Sequence, residues 1–122
     1  MSENYFKILF CGDRNYRNKN AIWNVMRDLI EEFGKFTAIH GDARGADKLS
    51  GEVAEEFNLK VEKYPADWNK YGKFAGPIRN REMLDQRPDL VIAFHPFISN
   101  SKGTKDCISE ARKRKIEVRL FK

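Results

Sequence analysis

Three short polar segments of this 122-residue chain have the composition of anion-binding turns. They are residues 12–15 (Gly-Asp-Arg-Asn), 40–47 (His-Gly-Asp-Ala-Arg-Gly-Ala-Asp) and 101–104 (Ser-Lys-Gly-Thr). Each is expected at the carboxyl end of a strand, just before a helix. A glycine-containing turn at a helix N-terminus leaves backbone N–H groups unpaired at the positive end of the helix dipole, which favours phosphate binding. Three such turns in so short a chain predict a nucleotide-binding domain.

A separate segment supplies further cations for such a site. The Gly-Pro pair at 76–77 is a typical helix start, which would place Arg79 and Arg81 in the first helical turn. Cations there oppose the helix dipole, so we expect a bound anion to stabilise them. The alternative interpretation is that one of these arginines forms an ion pair with Asp67 or Asp42.

Apolar runs alternate with helical periods along the chain, which predicts an α/β fold. Strands are predicted at residues 6–11, 36–40, 59–64, 90–94 and 116–121, and amphipathic helices at 22–33, 46–57 and 104–114. We therefore expect a Rossmann-like three-layer sandwich with a mostly parallel five-stranded sheet, and a ligand beyond the carboxyl ends of the strands. The irregular stretch 65–88 is predicted to be a long binding loop containing one short helix.

Composition limits the class of protein. The length and a hydrophobic content of 41% predict one domain over residues 1–122. The chain has no apolar run long enough to cross a membrane, and its first residues do not resemble a secretion signal. The two cysteines, Cys11 and Cys107, are too few for a disulfide framework, so a cytoplasmic location is expected. His40 and His95 lack metal-ligand spacing, so we predict no metal site, although Mg²⁺ could arrive with phosphates.

The net charge of +5 favours phosphorylated or polyanionic partners. The basic run at residues 112–115, however, ends the last predicted helix, where cations complement the helix dipole. We interpret this run as a solvated helix end rather than a nucleic-acid patch. A nucleotide-derived small molecule is therefore the expected partner, and a homodimer is compatible with the helices.

The sequence resembles the SLOG superfamily, in particular its small stand-alone YspA-like (YpsA-related) branch. The similarity extends over nearly the whole chain and is most specific between the Ala-Asp-Trp at 66–68 and the Gly-Pro-Ile-Arg-Asn at 76–80. It implies a Rossmann-like pocket for nucleotides or nucleotide-derived ligands. The superfamily includes cytokinin-activating phosphoribohydrolases, DprA-type DNA-processing proteins and sensors of nucleotide signals.

Comparison with the phosphoribohydrolases identifies candidate catalytic positions. Arg79 and Met83 match an arginine and methionine that precede the phosphate loop of that family, and residues 103–104 match the end of the loop. The leading glycines of the loop are replaced by the bulkier residues 96–102. The position of the catalytic glutamate falls on Cys107, and Asp106 lies one residue before it. A thiol cannot replace a carboxylate in this chemistry, and Asp106 points about 100° away around the helix.

Nucleotide binding is the leading hypothesis. The predicted ligand-binding residues are Gly12, Arg14, Gly41, Arg44, Gly45, Asp47, Trp68, Asn80, Lys102, Gly103 and Thr104. The glycines would let the backbone approach the ligand, and the N–H groups of residues 102–104 would hold a phosphate with help from Arg79. Asp47 could instead fix the loop that precedes it. Trp68 either stacks on a base or packs its own loop.

Two alternatives belong to other classes. An N-glycosidic hydrolase or transferase would use Arg79 to orient a ribose phosphate and Asp106, Asp42 or Asp67 as its carboxylate. That hypothesis predicts that Asp106→Asn abolishes turnover while affinity is kept. Binding of single-stranded DNA ranks last, because the candidate residues form a compact site rather than a basic stripe with aromatic platforms.

Overall fold

Five parallel strands form the central sheet in the computed structural model, which describes residues 6–97 and 101–122. The strands are β1 (Lys7–Gly12), β2 (Thr37–His40), β3 (Lys60–Lys63), β4 (Leu90–Phe94) and β5 (Glu117–Phe121). Their order across the sheet is β3-β2-β1-β4-β5, and every neighbouring pair is parallel. The predicted α/β fold with a five-stranded sheet is thus confirmed, and the sheet is parallel throughout rather than mostly so.

Helices cover both faces of the sheet. The longer ones are α1 (Lys19–Phe33), α2 (Ala46–Glu56), α4 (Ala75–Leu84) and α5 (Lys102–Lys113), and the single-turn α3 spans Trp68–Tyr71. Ile8 and Phe10 of β1 pack in the core beneath α1 and α2, whereas Leu9 and Cys11 point to the core beneath α4 and α5. Both faces of the strand are therefore buried, which explains its unbroken apolar run.

Helix α1 shows how local sequence fixes an element. Ile22, Met26 and Leu29 repeat at helical spacing and are buried against the sheet, and each contributes roughly 2 kcal/mol by its burial. The side chain of Asn18 accepts a hydrogen bond from the Ala21 N–H at 3.0 Å and so begins the helix. The Gly34 N–H then donates to the Ile30 carbonyl and ends it.

The prediction of a long loop at residues 65–88 is wrong, because most of this stretch is helical. Helix α3 leads through a 3₁₀ turn at Gly72–Phe74 directly into α4. Pro77 is consequently the third residue of α4 rather than its first, a position where a helix still needs no N–H donor. Arg79 lies in the second turn, so the expected conflict between its charge and the helix N-terminus does not arise.

Helix α5 begins two residues earlier than its apolar spacing predicts. Ser101 Oγ accepts a hydrogen bond from the Thr104 N–H at 3.1 Å, which extends the helix to Lys102. Part of the bulky segment 96–102, residues 98–100, lies outside the described residues. Residues 1–5, on which the prediction about a secretion signal depends, also lie outside them.

Candidate functional site

A cavity of about 350 Å³ opens at the carboxyl ends of β1 and β4, and we call it the first cavity. These two neighbouring strands continue into helices on opposite faces of the sheet, which makes their junction the usual ligand position in such folds. The lining residues come from five places: residues 11–15 at the end of β1 and just after it, Ala43, Arg44 and Asp47 before and within α2, Arg79, Asn80 and Met83 of α4, His95 after β4, and Ser101, Lys102, Gly103, Thr104 and Cys107 at the start of α5.

Positive charge dominates the first cavity. Its lining contains four cationic side chains against two carboxylates, namely Arg14, Arg44, Arg79 and Lys102 against Asp13 and Asp47. Both carboxylates already accept hydrogen bonds from the backbone: Asp13 Oδ1 from the Asn15 N–H at 2.9 Å, and Asp47 Oδ2 from the Gly41 N–H at 3.0 Å. An anion entering the cavity therefore meets more cations than competing carboxylates.

Asp47 holds the loop between β2 and α2 in place. Its Oδ2 also lies 3.4 Å from the Ala43 N–H, so one buried carboxylate links both ends of the turn. Burial raises the pKa of Asp47 to about 6, although Arg79 and the two backbone N–H groups act in the opposite direction. The geometry favours the structural interpretation of Asp47 over a direct role at the ligand.

Arg79 lies flat against the backbone of Gly41. Its Nη1 donates a hydrogen bond to the Gly41 carbonyl oxygen at 2.6 Å, and its Nε donates to Asn80 Oδ1 at 3.1 Å. A Cβ atom at position 41 would collide with the guanidinium, which explains the glycine there. The alternative ion pairs to Asp67 or Asp42 do not form.

The other predicted arginine of α4 lies away from the cavity. Arg81 Nη2 lies 3.2 Å from Glu110 Oε2, so it pairs with α5 instead of Asp67 or Asp42. This pair ties the two helices on the same face of the sheet together. Arg79 is therefore the arginine of α4 that faces the cavity, and Arg81 is a surface contact.

Asn80 connects α4 to the first turn of α5. Its buried amide donates to the Asp106 carboxylate at 3.0 Å and to the Gly103 carbonyl at 3.3 Å, while its oxygen accepts from Arg79. Asp106 is not among the residues that line the cavity. The structure therefore places this predicted catalytic carboxylate as a hydrogen-bond partner of Asn80, because its helical position turns it away from the opening.

The floor of the first cavity carries two thiols. Cys107, which is 1% exposed, lies beside Cys11 at the end of β1. A hydrogen bond to Cys107, together with burial, raises the pKa of Cys11 well above its usual value. A thiol with such a pKa stays protonated near neutral pH, so Cys11 is not an activated nucleophile.

The predicted glycines serve internal packing. A Cβ at Gly12 would collide with the Phe94 carbonyl oxygen and lie 2.8 Å from Ala46 Cβ. A Cβ at Gly45 would meet the backbone carbonyls of residues 13 and 14. Gly12 also lines the first cavity, whereas Gly45 lines neither the first cavity nor the second one described below. They bring the loops after β1, β2 and β4 together.

A second cavity of about 490 Å³ adjoins the first across Arg14, Ala43, Arg44 and Arg79, which line both. The remaining walls come from Gly41, Asp42, Pro65, Ala66 and Trp68. The Trp68 side chain is 50% exposed and faces this space, with its ring edge near Gly76. An exposed aromatic ring on the wall of a cavity is available for stacking.

The predicted ligand-binding residues leave out His95, because a histidine at a strand end is more often a polar end than a ligand contact, but it lines the first cavity. It follows the last residue of β4, is nearly buried, and its Nδ1 accepts a hydrogen bond from the Phe97 N–H at 3.1 Å. Its place after a fully apolar strand was the available signal. His40, considered equally, lies elsewhere: it lines neither of the two cavities, and its Nδ1 accepts from the Asp42 N–H at 2.9 Å.

The shifted pKa values of His40 and Asp47 make the stability of the fold depend on pH. His40 is 1% exposed, and burial lowers its pKa to about 4. Between pH 6.5 and 4 the unfolded chain therefore binds a proton at His40 that the folded chain does not, so stability falls as the pH falls. The raised pKa of Asp47 acts oppositely, because between pH 6 and 4 the folded chain binds the extra proton.

Replacing Asp47 with asparagine removes that compensation and keeps an oxygen for the Gly41 N–H. We expect the free energy of unfolding of Asp47→Asn to drop by about 2 kcal/mol between pH 6.5 and 4.5, against a smaller drop in the parent protein. Urea unfolding at both pH values measures this difference. Equal drops in the two proteins would contradict it, and His40→Gln in the same background should abolish the steeper dependence.

The described ranges, 6–97 and 101–122, contain neither a metal-binding cluster nor a membrane-spanning helix. Within them no three His, Cys, Asp or Glu side chains are grouped so as to hold a metal ion. No helix there combines the length and apolar character needed to cross a bilayer.

Comparison with known proteins identifies the family. The "Gene 61 protein" of Mycobacterium phage D29 is 34% identical over 122 residues, which covers 94% of this chain and 95% of that protein. A family model for the YspA, cpYpsA-related SLOG family matches residues 6–71, which include β1, β2, β3 and the loops after β1 and β2 that line part of the first cavity. The family match and the parallel Rossmann-like sheet agree: the chain belongs to the YspA, cpYpsA-related SLOG family.

Proposed function

We propose that this protein binds a nucleotide through its phosphate in the first cavity. The observation that supports this most is the charge of the lining: four cations face two carboxylates, and both carboxylates accept hydrogen bonds from the backbone. A phosphate is the common cellular group that such a site accommodates. Family membership and the position at the β1–β4 junction point the same way.

In this proposal the two sides of the first cavity hold the phosphate together. Arg79 approaches from α4, already oriented by the Gly41 carbonyl and Asn80. Lys102, Gly103 and Thr104 approach from the start of α5, where the helix dipole also favours an anion. Asn80 acts as a positioning residue, because its amide contacts both Arg79 and Gly103.

The second cavity is the natural position for the base. It adjoins the first at Arg79, so a ribose at the boundary would direct the base toward Trp68. A planar base stacked on an aromatic side chain gains about 1 to 3 kcal/mol, largely irrespective of its identity. The proposal thus assigns the phosphate to the charged cavity and the base to the cavity with the exposed aromatic ring.

Binding without cleavage is the form of the proposal that the geometry supports best. An N-glycosidase needs a free carboxylate at the reacting carbon, and Cys107 lies at the expected position. Asp106 is bonded to Asn80, and Asp42 is ion-paired with Lys48 at 3.0 Å. Asp67 caps α3 by accepting a hydrogen bond from the Lys70 N–H at 3.1 Å.

The test incubates the pure protein with AMP, GMP, CMP and UMP and combines thermal shift with mass spectrometry of the nucleotide. At a hundred times its dissociation constant, a bound nucleotide should stabilise the fold by about 2.7 kcal/mol and be recovered intact. Free base or ribose phosphate in the reaction would contradict binding without cleavage. The absence of any shift with all four nucleotides would contradict the proposed function itself.

A further inference from the structure

A third cavity, of about 510 Å³, adjoins the first. The two share Arg14, Asn15 and Arg44. The other lining residues of the third cavity are Tyr16, Arg17, Gly45, Lys48, Leu49 and Glu52. Arg14 and Arg44 therefore stand between the two spaces, and their guanidinium groups can serve a ligand that extends from one into the other.

The third cavity carries more positive charge than its carboxylate balances. Its lining has four cations, at positions 14, 17, 44 and 48, against the single carboxylate of Glu52. Lys48 is ion-paired with Asp42, outside this lining, at 3.0 Å, so the surplus is carried by the three arginines. Glu52 also forms an ion pair, at 3.7 Å, with Nζ of Lys19, which lies outside this lining. Its negative charge is therefore shared with a cation that does not line the third cavity. Cations that lie close together without matching carboxylates repel one another. A surplus of cations in the third cavity therefore favours an anionic ligand.

Among the described residues, five exposed arginines form no ion pair, and three of them surround the third cavity; the other two, Arg87 and Arg112, lie elsewhere. Arg27, Arg81, Arg114 and Arg119 each pair with a carboxylate. The three at the third cavity are Arg14, Arg17 and Arg44. Guanidinium groups bind phosphate with two parallel hydrogen bonds, so three unpaired arginines around one rim form a suitable phosphate environment.

We propose that the third cavity binds a second phosphate, so that the ligand is a nucleotide with two separated phosphate groups. The proposal rests on the proposed function, because the first phosphate occupies the first cavity. Arg17 holds the second phosphate, and Arg14 and Arg44 contact the part of the ligand between the two phosphates. A nucleoside 3′,5′-bisphosphate and a 5′-phosphorylated linear dinucleotide both have this chemistry.

The experiment measures dissociation constants by calorimetry for AMP, adenosine 3′,5′-bisphosphate and the linear dinucleotide pApA. It uses the full chain, Arg17→Ala, and Arg112→Ala as a control that removes one exposed cation near the opposite end of α5. We expect at least one two-phosphate ligand to bind about tenfold or more tightly than AMP. Arg17→Ala should cancel most of that gain and leave AMP binding within about twofold, while Arg112→Ala changes neither. The ligand of the two that binds more tightly shows whether the second phosphate belongs to a nucleoside bisphosphate or to a linear dinucleotide.

Three outcomes would overturn the inference. If AMP and both two-phosphate ligands bind equally, or Arg17→Ala weakens all of them alike, the third cavity holds no second phosphate and the proposed function stands. If AMP binding is absent or insensitive to Arg79→Ala, the proposed function fails as well. If affinity instead rises steadily with the length of a single-stranded oligonucleotide and falls steeply with salt, the groove binds nucleic acid.

Discussion

Replacing Arg79 with alanine should weaken nucleotide binding by about tenfold to a hundredfold. Arg79 is the only side chain of α4 in the first cavity that carries a charge, and its guanidinium is already oriented by the Gly41 carbonyl and by Asn80. A hydrogen bond to a charged group contributes about 1.5 to 3 kcal/mol, and each 1.4 kcal/mol changes affinity about tenfold. Calorimetric titration with AMP measures the loss.

Gly41→Ala tests the same guanidinium without removing it. The added Cβ collides with Arg79, whose flexible end can move, and position 41 does not require a positive φ. We therefore expect weaker AMP binding with little change in the free energy of unfolding. Arg112→Ala, which removes one cation far from the cavity, should bind as the parent does. If Arg79→Ala and Arg112→Ala weaken binding equally, net charge rather than the Arg79 contact determines affinity.

Replacing Gly12 with alanine should lower the free energy of unfolding by about 3 kcal/mol or more. Gly12 has a φ of 154°, which side chains disfavour, and its Cβ would meet the Phe94 carbonyl and Ala46. The Asp13 N–H donates to the same Phe94 carbonyl at 2.9 Å, so relieving the collision separates β1 from β4. Because these ends of the two strands border the first cavity, nucleotide binding should fall too.

Gly34→Ala is the matched control for that substitution. Gly34 also has a positive φ, 78°, but no atom lies within 4 Å of the position of its Cβ. Its cost should be that of backbone strain alone, about 1 to 3 kcal/mol, with nucleotide binding unchanged. Urea unfolding of both variants at pH 7 provides the comparison. If Gly12→Ala costs no more than Gly34→Ala and binds nucleotide normally, the contact with Phe94 does not maintain the cavity.

The boundary of α4 shows where local patterns fail. The Gly-Pro pair at 76–77 predicts a helix start, but α3 and the 3₁₀ turn bring a helical chain into α4 one turn earlier. Proline is acceptable anywhere in a first turn, so its presence does not specify which residue is first. This difference affects the candidate site. In the first turn the charge of Arg79 would have opposed the helix dipole and favoured a bound anion, but in the second turn that conflict is absent.

Asp106 shows a second limit. The sequence shows that Asp106 lies one position before Cys107, but it does not show whether either side chain reaches the cavity. That depends on the rotation of α5 about its axis, which is set by packing Cys107, Ile108 and Ala111 beneath the sheet. The buried amide of Asn80 then receives Asp106 as a partner. A contact between two helices 26 residues apart along the chain has no local signal.

The sequence by itself determined the fold class, because the periods of its apolar residues are local and each dictates a strand or a helix. It also determined that polar, glycine-containing turns follow the strands. Only the tertiary structure decided what the glycines do, since their neighbours at residues 79 and 94 come from distant elements. It likewise decided that Arg14 and Arg44 stand between three cavities, because that arrangement depends on the packing of loops rather than on the pattern within any one of them.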